Sequence, residues 1–151
     1  MSIYQTEIEE AIKESGVNAQ KVGSEKANDI WHNIVEKYTN AKDHYTWLWE
    51  NFLDDHSVYD IESWTWIGSY LQNKPCYFVV NDNYCRKLAY YFDDGSLIVD
   101  MYGETSENIE FYVTDENLSF LLSFNHECYL SACGEAKKWL AEFCKKKSND
   151  G

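Results

Sequence analysis

His126, Cys128 and Cys133 fall within eight residues of one another, and Cys76 and Cys85 add two thiols on a separate stretch of the chain. Imidazole beside thiolates is the donor set of structural zinc. However, the tight C-x2-C knuckle that usually holds such a metal is missing. Cys128 and Cys133 read instead as small apolar residues of a buried strand, and no metal or cofactor is expected. A cysteine nucleophile with His126, His56, His44 or His32 as its base needs partners that meet only in the fold. No local signature supports it: there is no G-x-S-x-G elbow, no phosphate-cradling glycine loop and no H-E-x-x-H. Carboxylates near six tryptophans could work on sugars, but acids scattered over turns are usually solvated surface. The chain is read as a binding protein and not as an enzyme.

The acids are distributed unevenly. No Lys or Arg occurs from Asp43 to Gln72, and none between Lys87 and Lys137. The second window carries Asp93, Asp94, Asp100, Glu104 and Glu107, and the first carries Asp54, Asp55, Asp60 and Glu62. These nine are the candidate partner-binding residues. The net charge is -13, and the lysines cluster in the last residues, so residues 1–133 carry -15. Such a field repels nucleic acid and steers a basic partner toward the surface. A single arginine, Arg86, leaves no basic groove for direct nucleic-acid binding. Carboxylates spaced along a surface can also imitate phosphates, so mimicry of nucleic acid toward a DNA- or RNA-processing enzyme is the alternative reading.

The chain has 151 residues, 44% hydrophobic and 17% aromatic, which suits one α+β domain over residues 1–151 that folds without disulfides. Five cysteines without framework spacing, and no leader or membrane-length apolar run, point to the cytoplasm. Ala27, Ile30, Trp31, Ile34, Val35 and Tyr38 form one apolar stripe, which predicts a helix over Ser24–Tyr38 capped by Ser24. Shorter helices are predicted around Ile8 to Ile12, from Tyr45 to Phe52, and around Trp64 to Leu71 after an Asp60 cap. Beyond the only proline, Pro75, the pattern turns to strands: Cys76–Val80, Lys87–Phe92, Ser96–Tyr102, Ile109–Val113 and Cys128–Cys133. Asp94-Gly95 reads as a hairpin turn, and Leu118–Phe124 fits a short helix or a strand. A helix from Glu135 to about Lys147 closes the chain. The expected architecture is a mostly antiparallel sheet of four or five strands, with N-terminal helices and a C-terminal helix packed on it.

The run Ile109-Glu110-Phe111-Tyr112-Val113-Thr114-Asp115, the segment Leu118 to Phe124, the Asn125-His126 turn and the closing Gly134-Glu135 resemble the C-terminal part of small uncharacterised bacterial cytosolic proteins. In architecture and acidity the chain is similar to immunity proteins of bacterial polymorphic-toxin and contact-dependent growth inhibition systems, some of them in the SUKH superfamily. The Leu-Pro segment and Asn-Gly-Gly turn common in SUKH proteins are absent, and Phe120 stands where a Trp is frequent, so no binding residue is carried over. The resemblance implies an immunity protein that occludes a basic toxin domain, for example a nuclease, with no membrane partner. As unligated thiols, the cysteines should yield no stoichiometric zinc by elemental analysis of protein purified without a metal-affinity tag, and a chelator should leave the circular dichroism unchanged. One tightly bound zinc per chain would return His126, Cys128 and Cys133 to the centre of the chemistry.

Overall fold

A helix whose first turn is capped by a serine hydroxyl opens the chain. Helix α1 (Ile3–Ser15) begins where the Gln5 N–H donates to Ser2 Oγ, and ends where Gly16, at φ +73°, returns its N–H to the Ile12 carbonyl. The computed structural model describes residues 2–41, 48–83, 86–106 and 108–150. Among the residues singled out above, His44, Tyr45, Cys85 and Glu107 lie outside the described residues.

Helix α2 (Ser24–Tyr38) buries the whole stripe that its spacing predicts. Its cap is Gly23 rather than Ser24, without a side-chain bond. A 3₁₀ turn (Leu48–Glu50) stands within the stretch read as the Tyr45–Phe52 helix. A second (Ser63–Trp66) runs into α3 (Ile67–Leu71), preceded by Asp60, whose Oδ1 accepts the Glu62 N–H and whose carbonyl accepts that of Ser63. Helix α5 (Ala136–Asp150) closes the fold.

Among the described residues the sheet has seven antiparallel strands, not four or five. They are β1 (Ala19–Lys21), β2 (Asp55–Tyr59), β3 (Cys76–Asn83), β4 (Arg86–Phe92), β5 (Phe111–Thr114), β6 (Phe120–Phe124) and β7 (Tyr129–Gly134), in the order β1-β4-β3-β5-β6-β7-β2. The two unexpected members are the edges. Each is short and polar, so neither carries an apolar run; they are strands because β4 and β7 offer them an unpaired side.

Helices lie on both faces. One face carries Phe78, Val80, Tyr90, Phe111, Val113, Leu122 and Leu130 under α1, α3, α4 (Leu97–Tyr102) and α5; the other carries Tyr77, Val79, Ala89, Tyr112 and Leu121 against α2. Trp31 of α2 meets Tyr112 edge to face, centroids 5.1 Å apart.

The strand expected over Ser96–Tyr102 is a helix, α4 (Leu97–Tyr102), and Asp94-Gly95 is no hairpin. Ile98 and Val99 favour a strand locally, but burial falls on Ile98, Met101 and Tyr102, at helical spacing, so packing overrides propensity. Asp94 starts this helix by accepting the N–H and hydroxyl of Ser96. Gly95 is needed for close approach: a Cβ there would stand 2.6 Å from Cys76 Sγ and 2.9 Å from Leu71 Cβ. Gly95→Ala is therefore expected to cost on the order of 1–3 kcal/mol in chemical denaturation. Gly23→Ala, where a Cβ meets nothing within 4 Å, should cost less, under about 1 kcal/mol, since only the preference of the α2 cap for glycine over alanine is lost.

Candidate protein-interaction surface

Antiparallel pairing assigns the loops of this sheet to two ends. At one end lie the close of β2 (Tyr59), the β6–β7 turn (Asn125 to Cys128), the approach to β5 (Asn108 to Glu110) and the β3 terminus (Asn81 to Asn83). The N-terminus of α1 sits against that β3 terminus. Five of the most exposed large apolar side chains gather here: Ile3, Tyr4, Tyr59, Ile61 and Tyr129, with Tyr59 and Ile61 each 67% exposed. Leu53, by contrast, precedes β2 at the other end. Tyr59 and Tyr129 are direct cross-strand partners with ring centroids 5.4 Å apart. Asp60, Glu62 and Glu127 adjoin Tyr59, Ile61 and Tyr129 along the chain, whereas Asp82 is buried against Arg86 near Ile3 and Tyr4.

A cleft of about 340 Å³ opens at this end where β3 and β5 part beyond the Val79–Tyr112 pair. Tyr4, Asn81, Asp82, Asn108, Glu110 and His126 line it. The His126 N–H donates to Glu110 Oε1 at 3.1 Å, and the imidazole Nδ1 bonds the same oxygen. The Trp49 ring lies edge-on to the imidazole with centroids 6.1 Å apart. Glu110 thereby fixes the orientation of the ring. Asp82 is 2% exposed and faces the Arg86 Nε at 3.5 Å, while the Arg86 guanidinium also bonds Gln5. Lys87 is buried, its ammonium held by Asn81 and the Asn83 carbonyl over the face of Trp31.

The eight candidate acids among the described residues do not form one surface. Asp60 and Glu62 belong to the end just described. Asp54 and Asp55 flank the start of β2 at the opposite end, with Asp54 bonded to Lys137 and Asp55 accepting the Ser57 hydroxyl at 2.6 Å. Asp93, Asp94, Asp100 and Glu104 flank or ride α4, so no strand runs between the two groups of acids as the sequence suggested. Asp94 is an internal brace: its Oδ1 accepts the Ser96 hydroxyl and the N–H groups of Asn73 and Ser96. The Ser96 hydroxyl first, and then the Asn73 N–H, hold its carboxyl below the usual range. Tyr59, Tyr129, Ile61 and the Glu110–His126 pair were not among the expected site residues. The period-two run Asp55-His56-Ser57-Val58-Tyr59 was the available signal.

Among the described residues, His56 and Cys144 line one surface pocket, and burial holds the Cys144 thiol above its ordinary value. Burial raises the thiols of Cys76 and Cys133 to about 12, so both stay protonated and poorly nucleophilic at neutral pH. Cys128 is half-buried with a left-handed backbone, φ +66°. Among the described residues no three metal-ligating side chains converge, and no helix is long and apolar enough to cross a membrane.

Because the folded-state pKa of Asp94 is depressed, its contribution is present above the unfolded value near 3.9 and is lost as pH falls through the folded one. The difference in melting temperature between wild type and Asp94→Asn is thus expected to be full at pH 7 and to shrink as pH falls from about 4 toward 2. A constant difference across that range would remove the carboxylate from this role.

No curated protein and no solved structure matches the chain. A family model described as a family of unknown function, DUF6756, matches residues 3–144. That match runs from the first turn of α1 into α5 and takes in every strand of the sheet, and the chain belongs to the DUF6756 family.

Proposed function

We propose that this protein is an inhibitor-type binding protein that docks a basic protein domain on the Tyr59–Tyr129 end of its sheet, in the manner of an immunity protein occluding a toxin. One observation carries the reading: the exposed Tyr59–Tyr129 pair and Ile61 share one end of the sheet with the acids Asp60, Glu62 and Glu127. Buried aromatic anchors dominate the affinity of protein interfaces, whereas surrounding charges steer encounter and exclude wrong partners. A solvated acidic surface that served only solubility would not need Tyr59, Ile61 and Tyr129 gathered within it. The charge sign supports a partner that is itself basic, as nucleases are. The same features serve mimicry of nucleic acid toward a processing enzyme, and the identity of the captured protein separates the two.

The test is co-expression with the protein encoded by the adjacent upstream gene, followed by binding kinetics on the purified pair. Tyr59→Ala with Tyr129→Ala is expected to leave the fold intact and raise the dissociation rate, for a combined loss of about 2–4 kcal/mol. Asp60→Lys with Glu62→Lys should slow association and flatten its salt dependence. If charge reversal at Asp93, Asp100 and Glu104 has the larger effect on association, the docking surface lies along α4 instead.

A further inference from the structure

The two edges of the sheet are not equivalent. Strand β1 has three residues and ends on Lys21, a charged and very short edge of the kind that resists further pairing. Strand β2 has five residues, no lysine and no proline, and among the described residues no strand pairs with its outer side. The ladder to β7 shows which backbone groups that outer side presents. The Asp60 N–H donates to the Cys128 carbonyl at 3.1 Å, in the same register that pairs Val58 with Leu130 and His56 with Ala132. Hydrogen-bonded and non-hydrogen-bonded pairs alternate in an antiparallel ladder. His56, Val58 and Asp60 therefore bond inward to β7, whereas the N–H and C=O groups of Asp55, Ser57 and Tyr59 point outward. The close side chains of the non-bonded pairs agree, with Ser57 Oγ 2.8 Å from Ser131 Oγ and Tyr59 stacked by Tyr129.

We propose that the outer edge of β2 is a strand-addition site, and that its occupant is an extended segment of the basic partner bearing lysine or arginine at both ends. This rests on the reading of the protein as a binder of basic proteins and names how it binds. Asp54 and Asp55 lie at one end of β2, where Lys137 neutralises one of the two, and Asp60 and Glu62 lie at the other, so an added strand with cations at both ends meets a net negative charge at each. A second copy of the chain fits badly. Antiparallel self-pairing centred on Ser57 would set Asp54 of one chain against Asp60 of the other. At each of the two symmetric contacts, four carboxylates would face one lysine, Lys137.

The probe is a short synthetic peptide of alternating threonine and valine with a lysine at each end, beside its counterpart with glutamates at the ends. Amide hydrogen exchange is read in the full chain with and without peptide. The lysine peptide is expected to slow exchange at Asp55, Ser57 and Tyr59 and to leave His56 and Val58, already bonded to β7, unchanged; the glutamate peptide should slow none. Ser57→Ala keeps the outward N–H and should bind within about threefold of wild type, whereas Ser57→Pro removes it and should weaken binding about tenfold or more. Should Ser57→Pro fail to fold, the exchange footprint on the wild-type chain decides alone. Footprints on Tyr4, Glu110 and His126 with Ser57→Pro harmless would overturn strand addition while leaving the basic-partner reading in place. No footprint for either peptide, or a dimer in sedimentation that Ser57→Pro dissolves, would also overturn it.

Discussion

Strands β3, β5 and β6 are buried on both faces. Alternate residues of each serve opposite cores, as Phe78 and Val80 do against Tyr77 and Val79, so helices must cover the sheet on two sides. Among the described residues α1, α3, α4 and α5 go to one face, and α2 with Leu48 of the first 3₁₀ turn serves the other. A helix about 10 Å across covers two or three strands spaced about 4.8 Å apart, not seven. The consequence is visible in the composition of the face shared with α2. Where α2 packs, the residues are aromatic or aliphatic. Farther along the same face, Ser123, Ser131 and Ser57 lie opposite one another in register across β6, β7 and β2. That polar row ends at the free edge of β2, beside the exposed tyrosine pair. Ser123 and Ser131 are buried while Ser57 is exposed, so cover on this face runs out at β2, the edge that carries the candidate surface.

Acidity means different things at different places in this fold. Asp94 and Asp115 are turn residues whose oxygens are spent on backbone N–H groups, the Ser119 N–H in the case of Asp115. Glu116 is taken up by Lys26 and the Tyr77 hydroxyl, which lower its pKa. Asp54 answers Lys137. Carboxylates engaged in this way still contribute to the long-range field, but they are less free to meet a partner directly. Glu62 and Glu127 border exposed apolar surface, as does Asp60, whose Oδ1 is taken by the Glu62 N–H, and desolvation on binding strengthens a charge at the rim of an apolar contact. The combination of charge and apolar area, rather than the number of acids, distinguishes the sheet end from α4.

The α2 stripe, α1 with its Gly16 stop, the paired runs of β3 and β4, and the closing helix were legible in the sequence because each carries its own period and its own terminators. Residues Ser96 to Tyr102 were misread because a short apolar run rich in β-branched residues fits a strand and a buried helix equally well until neighbours decide. In this case the tight approach of Gly95 to Leu71 and Cys76 decides it.

What the sequence alone determined, then, is an acidic α+β chain with an apolar interior, a helical first part and an antiparallel second part. Those properties depend on composition and on spacings within a few residues. Tertiary structure decided which acids are free, that His126 faces Glu110 and not a cysteine, and that Tyr59 and Tyr129, seventy positions apart, become direct neighbours. It also made β1 and β2 the edges of the sheet, a place that the short period-two run Asp55 to Tyr59 does not specify. The reason is that strand pairing is a contact between distant segments, set by which backbone edges remain unsatisfied once the apolar strands have been buried.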